Sequence, residues 1–189
     1  MHQKIIAQLE ESAEVKRQTI VTAVDSIEAA AQMLIDCYRA GGKVLLCGNG
    51  GSAADAQHLA AELISRLKLE RAAIPALALT TNTSLLTAIG NDYKYDLVFV
   101  RQVEAFGRAG DVLIAISTSG ESENVIKAVE FSRVQGIKSI ALTGAKGGRL
   151  AEKVDIAIKI PSDNVQRIQE CHITIGHIIC QLVEEKYFN

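Results

Sequence analysis

Five short apolar runs, Val44–Cys47, Ala76–Leu79, Val112–Ile116, Ser139–Leu142 and Ile156–Ile160, alternate with stretches of helical periodicity. Each run is too short for a helix and apolar at nearly every position, the pattern of a strand buried on both faces. Strands of that kind with helices between them pair in parallel, because a parallel neighbour needs a long crossover and a helix supplies it. The expected fold is α/β, a three-layer sandwich around a five-stranded parallel sheet. Helical patterns cover Ala54–Leu67, Leu85–Ala88, Leu97–Phe106 and Ser122–Gln135, and a last helix is expected over about Asn164–Glu185. Two helices are expected ahead of the sheet. The first places Ile5, Ile6, Leu9, Ala13 and Ile20 on one broad face. Asp25, three residues before Glu28, resembles the capping-box start of a second that ends at Gly41-Gly42. With no linker or low-complexity segment, residues 1–189 read as one domain, a helical segment 1–40 followed by an α/β core and C-terminal helix over 43–189.

Two of the strand-to-helix joins carry the chemistry. The first runs Cys47-Gly48-Asn49-Gly50-Gly51-Ser52 into a helix. Glycines let the backbone turn sharply beside a ligand, and the new helix offers unpaired N–H groups to an anion. The glycines formally fit a dinucleotide fingerprint, but Leu79-Thr80-Thr81-Asn82 holds no acidic residue for a ribose. No Lys-Ser/Thr follows them, which also disfavours a nucleotide P-loop. The second join, Ser117-Thr118-Ser119-Gly120-Glu121-Ser122, puts four hydroxyls in six positions. One hydroxyl, from Ser119 or Ser122, would suffice to cap the next helix, so the surplus favours a phosphate cradle. Two such loops at the carboxyl ends of neighbouring strands would frame one crevice.

Polar residues on the helices suggest what that crevice does. His58 and Glu62 are one helical turn apart and share a face, either as a surface pair or as part of the site. Gln169, His172 and His177 interrupt an otherwise apolar last helix. One polar group there is often a satisfied core residue; three are harder to dismiss. Gln169 and His177 lie about 12 Å apart along an ideal helix axis. Joining one ion would require their side chains to lean together or to come from different subunits, so a site near a subunit interface is expected. Gly90-Asn91-Asp92 reads as a turn unless it reaches the same crevice.

Composition excludes several classes. A net charge of −2 gives no bulk field for nucleic acid. Local basic groups at Lys146, Arg149 and Arg167 could still meet a phosphate. No run approaches the length of a membrane span, and the N-terminus lacks a signal-peptide core, so a cytoplasmic protein is expected. The four cysteines, Cys37, Cys47, Cys171 and Cys180, form no C-x-x-C pair and read as reduced, packed thiols.

Taken together, the Gly-Asn-Gly-Gly-Ser loop, Asp55-Ala56-Gln57-His58 through Glu62, Gly90-Asn91-Asp92, Ser117–Ser122 and Arg167-Ile168-Gln169-Glu170 resemble the sugar isomerase (SIS) domain family across essentially the whole chain. The resemblance implies a flavodoxin-like fold, a homotetramer with interfacial active sites, and Zn²⁺ held by His58, Glu62, Gln169 and His177. It implies substrate contacts from Asn49, Gly50, Gly51, Ser52, Glu62, Asn91, Asp92, Ser117, Thr118, Ser119, Ser122 and Gln169, with Glu62 and His177 catalytic. The implied activity is aldose–ketose isomerisation of sedoheptulose 7-phosphate to D-glycero-D-manno-heptose 7-phosphate. Where some family members carry an acidic residue three before the glutamine, this chain has Gln166. Two alternatives share the scaffold: an isomerase of another sugar phosphate, and a non-catalytic relative that binds the replication initiator DnaA. The latter relatives generally lose the carboxylate that Glu62 retains.

Overall fold

A computed structural model of the chain describes residues 1–188; Asn189, the end of the expected domain, lies outside the described residues. All five expected strands form, as β1 (Val44–Gly48), β2 (Ala76–Ala78), β3 (Val112–Ile116), β4 (Lys138–Thr143) and β5 (Ile156–Lys159). They pair entirely in parallel in the order β2-β1-β3-β4-β5, the flavodoxin-like winding. Helices cover both faces: α1 (His2–Arg39), α2 (Gly51–Ile64), α3 (Thr83–Asp92), α4 (Val100–Phe106), α5 (Glu123–Val134), α6 (Gly148–Ala151) and α7 (Val165–Tyr187). Side chains alternate across the sheet as a strand requires. Val44, Leu46, Ile114, Ile140 and Ile158 join a core under α1, α2 and α7. Leu45, Cys47, Leu113, Ala115 and Ala141 join a second core on the opposite face with residues of α3, α4 and α5.

Several expectations change. The N-terminal segment is one helix, because nothing at Asp25 breaks it: Val15, Thr19, Ala23, Ile27, Ala30, Leu34 and Tyr38 form one unbroken buried stripe across the supposed boundary. That stripe, not the one through Ile5, Leu9 and Ile20, faces the core; those three stand 55%, 66% and 65% exposed. The expected 97–106 helix divides into a 3₁₀ turn, Tyr95–Leu97, and α4. Finally, α3 runs on through Gly90, so Asn91 and Asp92 form its last turn instead of a loop.

The winding places the switch point. The chain leaves β1 toward β2 on one side, whereas β3, β4 and β5 build out on the other. The carboxyl ends of β1 and β3 therefore flank the switch point, where open α/β sheets hold ligands. The glycine turn and the hydroxyl loop begin at those two ends.

Candidate functional site

The hydroxyl loop is organised around Ser117, the residue after β3, which is buried. Its Oγ donates to Ser122 Oγ at 3.1 Å, lies 3.5 Å from Ser119 Oγ and accepts from the Gly120 N–H at 3.2 Å. Ser119 Oγ accepts from the Glu121 N–H at 3.1 Å. Ser122 occupies the N-cap position of α5 but makes no side-chain cap bond. Its hydroxyl is turned into the cluster, so capping does not account for it. The segment after β4 braces the loop from behind: Gly144 N–H donates to the Thr118 carbonyl and Leu150 N–H to the Gly120 carbonyl, both at 3.0 Å. Gly120 has φ of 69°, and a Cβ on it would collide with the Gly147 carbonyl. Only glycine meets both conditions.

Of the three basic groups, Arg149 is taken by Glu121 and Glu123 at 2.7 and 2.9 Å. Arg167 is buried and donates to the Gln8 carbonyl and to Glu170. Lys146 lines a cavity of about 270 Å³ with Thr118, Ser119, Ser162 and Asp163. The hydroxyl loop thus offers an anion hydroxyls and backbone N–H groups, with one lysine at its margin.

At the end of β1, Asn49 pairs with Asn124 of α5 through two hydrogen bonds of 2.9 Å and accepts from Tyr95 Oη at 3.2 Å. Gly50 takes φ of 57°, and Gly51 opens α2. A Cβ on Gly51 would lie 2.5 Å from Gln169 Nε2, so the missing side chain makes room for that amide. Ser52 is buried beneath the turn against Gly48. Asn91 donates to Asp92 at 2.8 Å, and Gly90 of the same turn lies beside the Tyr95 ring. Asp92 also lines a surface groove with Tyr93 and Arg101.

Farther along α2, His58 Nε2 lies 2.8 Å from His177 Nε2 and 3.3 Å from Glu62 Oε1. One ligand atom from each of the three falls within 4.8 Å of the others. Zinc bonds of about 2.0–2.1 Å in a tetrahedron put neighbouring donors roughly 3.3 Å apart, so small side-chain adjustments would seat the ion. Two imidazoles and a carboxylate with an open position also form a donor set known in catalytic zinc sites. The residues fit the metal. Gln169 packs on Gly51, near the glycine turn.

The cluster exists because α2 and α7 run side by side in the same direction. Gly51 meets Gln169, His58 meets His177, and Leu59 lies so close to Gly176 that a Cβ there would fall 2.5 Å from Leu59 Cδ2. Beyond the cluster, Arg71 Nη2 donates to the Glu62 carbonyl at 2.9 Å while its Nε donates to Glu184 at 3.1 Å. Glu184 also accepts from the N–H groups of Leu67, Lys68 and Leu69 at 3.0, 2.8 and 3.0 Å. This buried pair ends α2 at Ile64, short of the expected Leu67. Burial alone would raise the Glu184 carboxyl; the three backbone N–H groups and Arg71 outweigh it and hold it below its usual range.

Sequence reasoning missed Asn124, Tyr95, Arg71, Glu184 and Asp55. Asp55, one turn before His58, is half-buried with Oδ2 lacking a partner. Burial raises its carboxyl, against the pull of His58 and His177. The spacing 55, 58, 62 on one helix was the available signal. His172, singled out with Gln169 and His177, is a core residue: fully buried, it sits 3.2 Å from the Thr143 carbonyl.

A family profile for the SIS domain matches residues 9–144. The chain belongs to the SIS-domain family. The profile stops before α7. The chain is 54% identical to a phosphoheptose isomerase of Roseiflexus sp. (strain RS-1), covering 97% of this chain and 93% of that protein. A Rhodospirillum rubrum phosphoheptose isomerase is 58% identical over 85% of each. The structure of a phosphoheptose isomerase from Neisseria gonorrhoeae superposes with a TM-score of 0.93 at 44% identity, covering 97% of this chain and 98% of that one. The flavodoxin-like SIS fold expected from sequence is the fold observed.

Proposed function

We propose that this SIS protein is an aldose–ketose isomerase converting sedoheptulose 7-phosphate to D-glycero-D-manno-heptose 7-phosphate, the step that opens ADP-heptose supply for the lipopolysaccharide core. The observation that carries the reading is the His58–Glu62–His177 cluster on α2 and α7, in a chain whose half-identical relatives are named for this reaction. Retention of Glu62 favours it over the DnaA-binding alternative.

The reaction moves one proton from C1 to C2 through an enediol, while O1 loses a proton and O2 gains one. Glu62 and His177 are the acid and base for these transfers. Ser117, Thr118, Ser119 and Ser122 hold the phosphate, anchoring the open chain away from the reacting carbons. Asn49, Gly50, Gly51, Ser52, Asn91, Asp92 and Gln169 line the sugar end. His58, Glu62 and His177 would hold Zn²⁺, with Gln169 as a further ligand, and a bound zinc would polarise the substrate oxygens or order the site.

The protein acts as a homotetramer with interfacial active sites. The support is the outward apolar face of α1 and two grooves of about 300 and 260 Å³ between α1 and α7, lined by Ile20, Val24, Ile35, Ile178 and Leu182. A cytoplasmic location fits four buried, free thiols; among the described residues no helix is long and apolar enough to cross a membrane.

A coupled isomerase assay on heptulose, hexulose and pentulose phosphates, with and without chelator, tests the proposal. Glu62→Gln and His177→Ala should each lower kcat by about 10²–10⁴. Full activity in both variants would refute the mechanism, and preference for a hexulose phosphate would refute the substrate.

A further inference from the structure

Asn49 and Asn124 form a reciprocal amide pair across the switch point. Such a pair taken alone has two equivalent settings, because turning both amides over exchanges every donor with an acceptor. Here a third group removes the ambiguity. The Val125 N–H is shared between the Ser122 carbonyl at 3.1 Å and the Asn124 side-chain oxygen at 3.0 Å, and a backbone N–H can face only an acceptor. Asn124 must therefore turn its oxygen to Val125 and to Asn49 Nδ2, leaving its own Nδ2 for Asn49 Oδ1. The Tyr95 hydroxyl brings a second donor to that oxygen. Both lone pairs of Asn49 Oδ1 are then occupied, and one hydrogen of its Nδ2 is left over.

We propose that Asn124, assisted by Tyr95, is a positioning residue that fixes Asn49 as a hydrogen-bond donor toward an oxygen of the open-chain sugar phosphate. This rests on the reading that Asn49 lines the sugar end. A donor held in this way selects a carbonyl or hydroxyl oxygen and disfavours a substrate that presents only a donor at that position. The orientation originates in the backbone of α5, the helix that follows the hydroxyl loop. The phosphate end and the sugar end are thereby set by one element.

Asn124→Asp is the incisive variant. Its carboxylate still accepts from Val125 and Asn49 but has no hydrogen for Asn49 Oδ1. A negative charge in the first turn of α5 also suits the helix dipole, so the fold should hold. Expected are a thermal midpoint within a few degrees of the parent and a fall of at least tenfold in kcat/KM, carried by KM. Asn49→Ala should lose as much or more. The double variant N49A/N124D should be no worse than N49A, because Asn124 acts only through Asn49. Tyr95→Phe, at an exposed ring, should lose two- to fivefold with the same non-additivity, and it supplies the test if the buried variant does not fold. Unchanged kcat/KM in folded N124D, or additive losses in the double variant, would overturn the proposal while the Asn49 assignment stands. Full activity in N49A would overturn that assignment and the proposal with it.

Discussion

Removing the Glu184 carboxylate should be among the most damaging single changes outside the site. The Arg71 and Glu184 side chains are 3% and 0% exposed, so neither has water to fall back on. Glu184→Ala leaves a buried guanidinium Nε without its anion and removes the acceptor for three consecutive N–H groups. Breaking a buried pair from one side costs about 3–5 kcal/mol. For a chain of this length each kcal/mol moves the thermal midpoint by roughly 2–4 °C, so a fall of about 6–20 °C is expected. Urea and thermal unfolding followed by circular dichroism measure it. Arg71→Ala should cost a similar amount, and the double variant should cost less than the two added together. Because the Glu184 carboxyl titrates lower in the folded state than in the unfolded, its contribution is complete above the ordinary carboxylate value and drains away as pH falls through the folded one. The Glu184→Ala protein should accordingly lose less than the parent on acidification. A midpoint within a degree or two of the parent would refute the reasoning, since it would mean the buried charge costs nothing when orphaned.

Two further outcomes are expected. Ser122→Ala should leave stability within about 0.5 kcal/mol, where losing a true cap typically costs about 1 kcal/mol, yet raise KM for the sugar phosphate about tenfold; unfolding curves and kinetics on one preparation separate the two roles, and lost stability with unchanged KM would reinstate capping. His172 is pushed down to about 4 by burial, only partly offset by its bond to the Thr143 carbonyl, so the unfolded chain takes up a proton near 6.5 that the folded one refuses. Stability should be flat with respect to this group above that value and fall as pH drops toward 4, by roughly 3 kcal/mol in all; parallel stability–pH curves for parent and His172→Gln would contradict it.

The sheet was legible because buried parallel strands announce themselves locally: every residue of β1 and β3 is buried, and the sequence is correspondingly apolar throughout. Helix ends were less so. Asp25 and Glu28 carry the letters of a capping box, but Ala23 and Ile27 sit in the same buried stripe and keep the helix going. Tertiary burial outweighs a local signal worth about 1 kcal/mol. At the site, His58, Glu62 and His177 were visible as polar residues of suspicious spacing, and the structure brings all three together. Asn124 was not visible, since one asparagine in the first turn of an amphipathic helix is unremarkable until its partner 75 positions away is known. Arg71 and Glu184 were hidden for the same reason, 113 positions apart.

Arg71 and Glu184 also bear on the site. The acid–base and metal candidates stand on α2 and α7, while many of the proposed phosphate and sugar contacts stand on loops at the carboxyl ends of β1 and β3. Groups that transfer protons need tighter placement than groups that only bind, and rigid helices give it more readily than loops. Side-by-side helices can still slide, and one residue of slippage would move His177 about 1.5 Å past His58. Three contacts oppose that movement: Gln169 in the space left by Gly51, Leu59 against Gly176, and Arg71 holding both the Glu62 carbonyl and Glu184. The first and last lie on opposite sides of the His58–His177 contact, so the register is held on both sides of the cluster. The register of the two helices, set in part by Leu59, Gly176, Arg71 and Glu184, which have no proposed contact with substrate, therefore determines whether Glu62 and His177 can serve the proposed enediol.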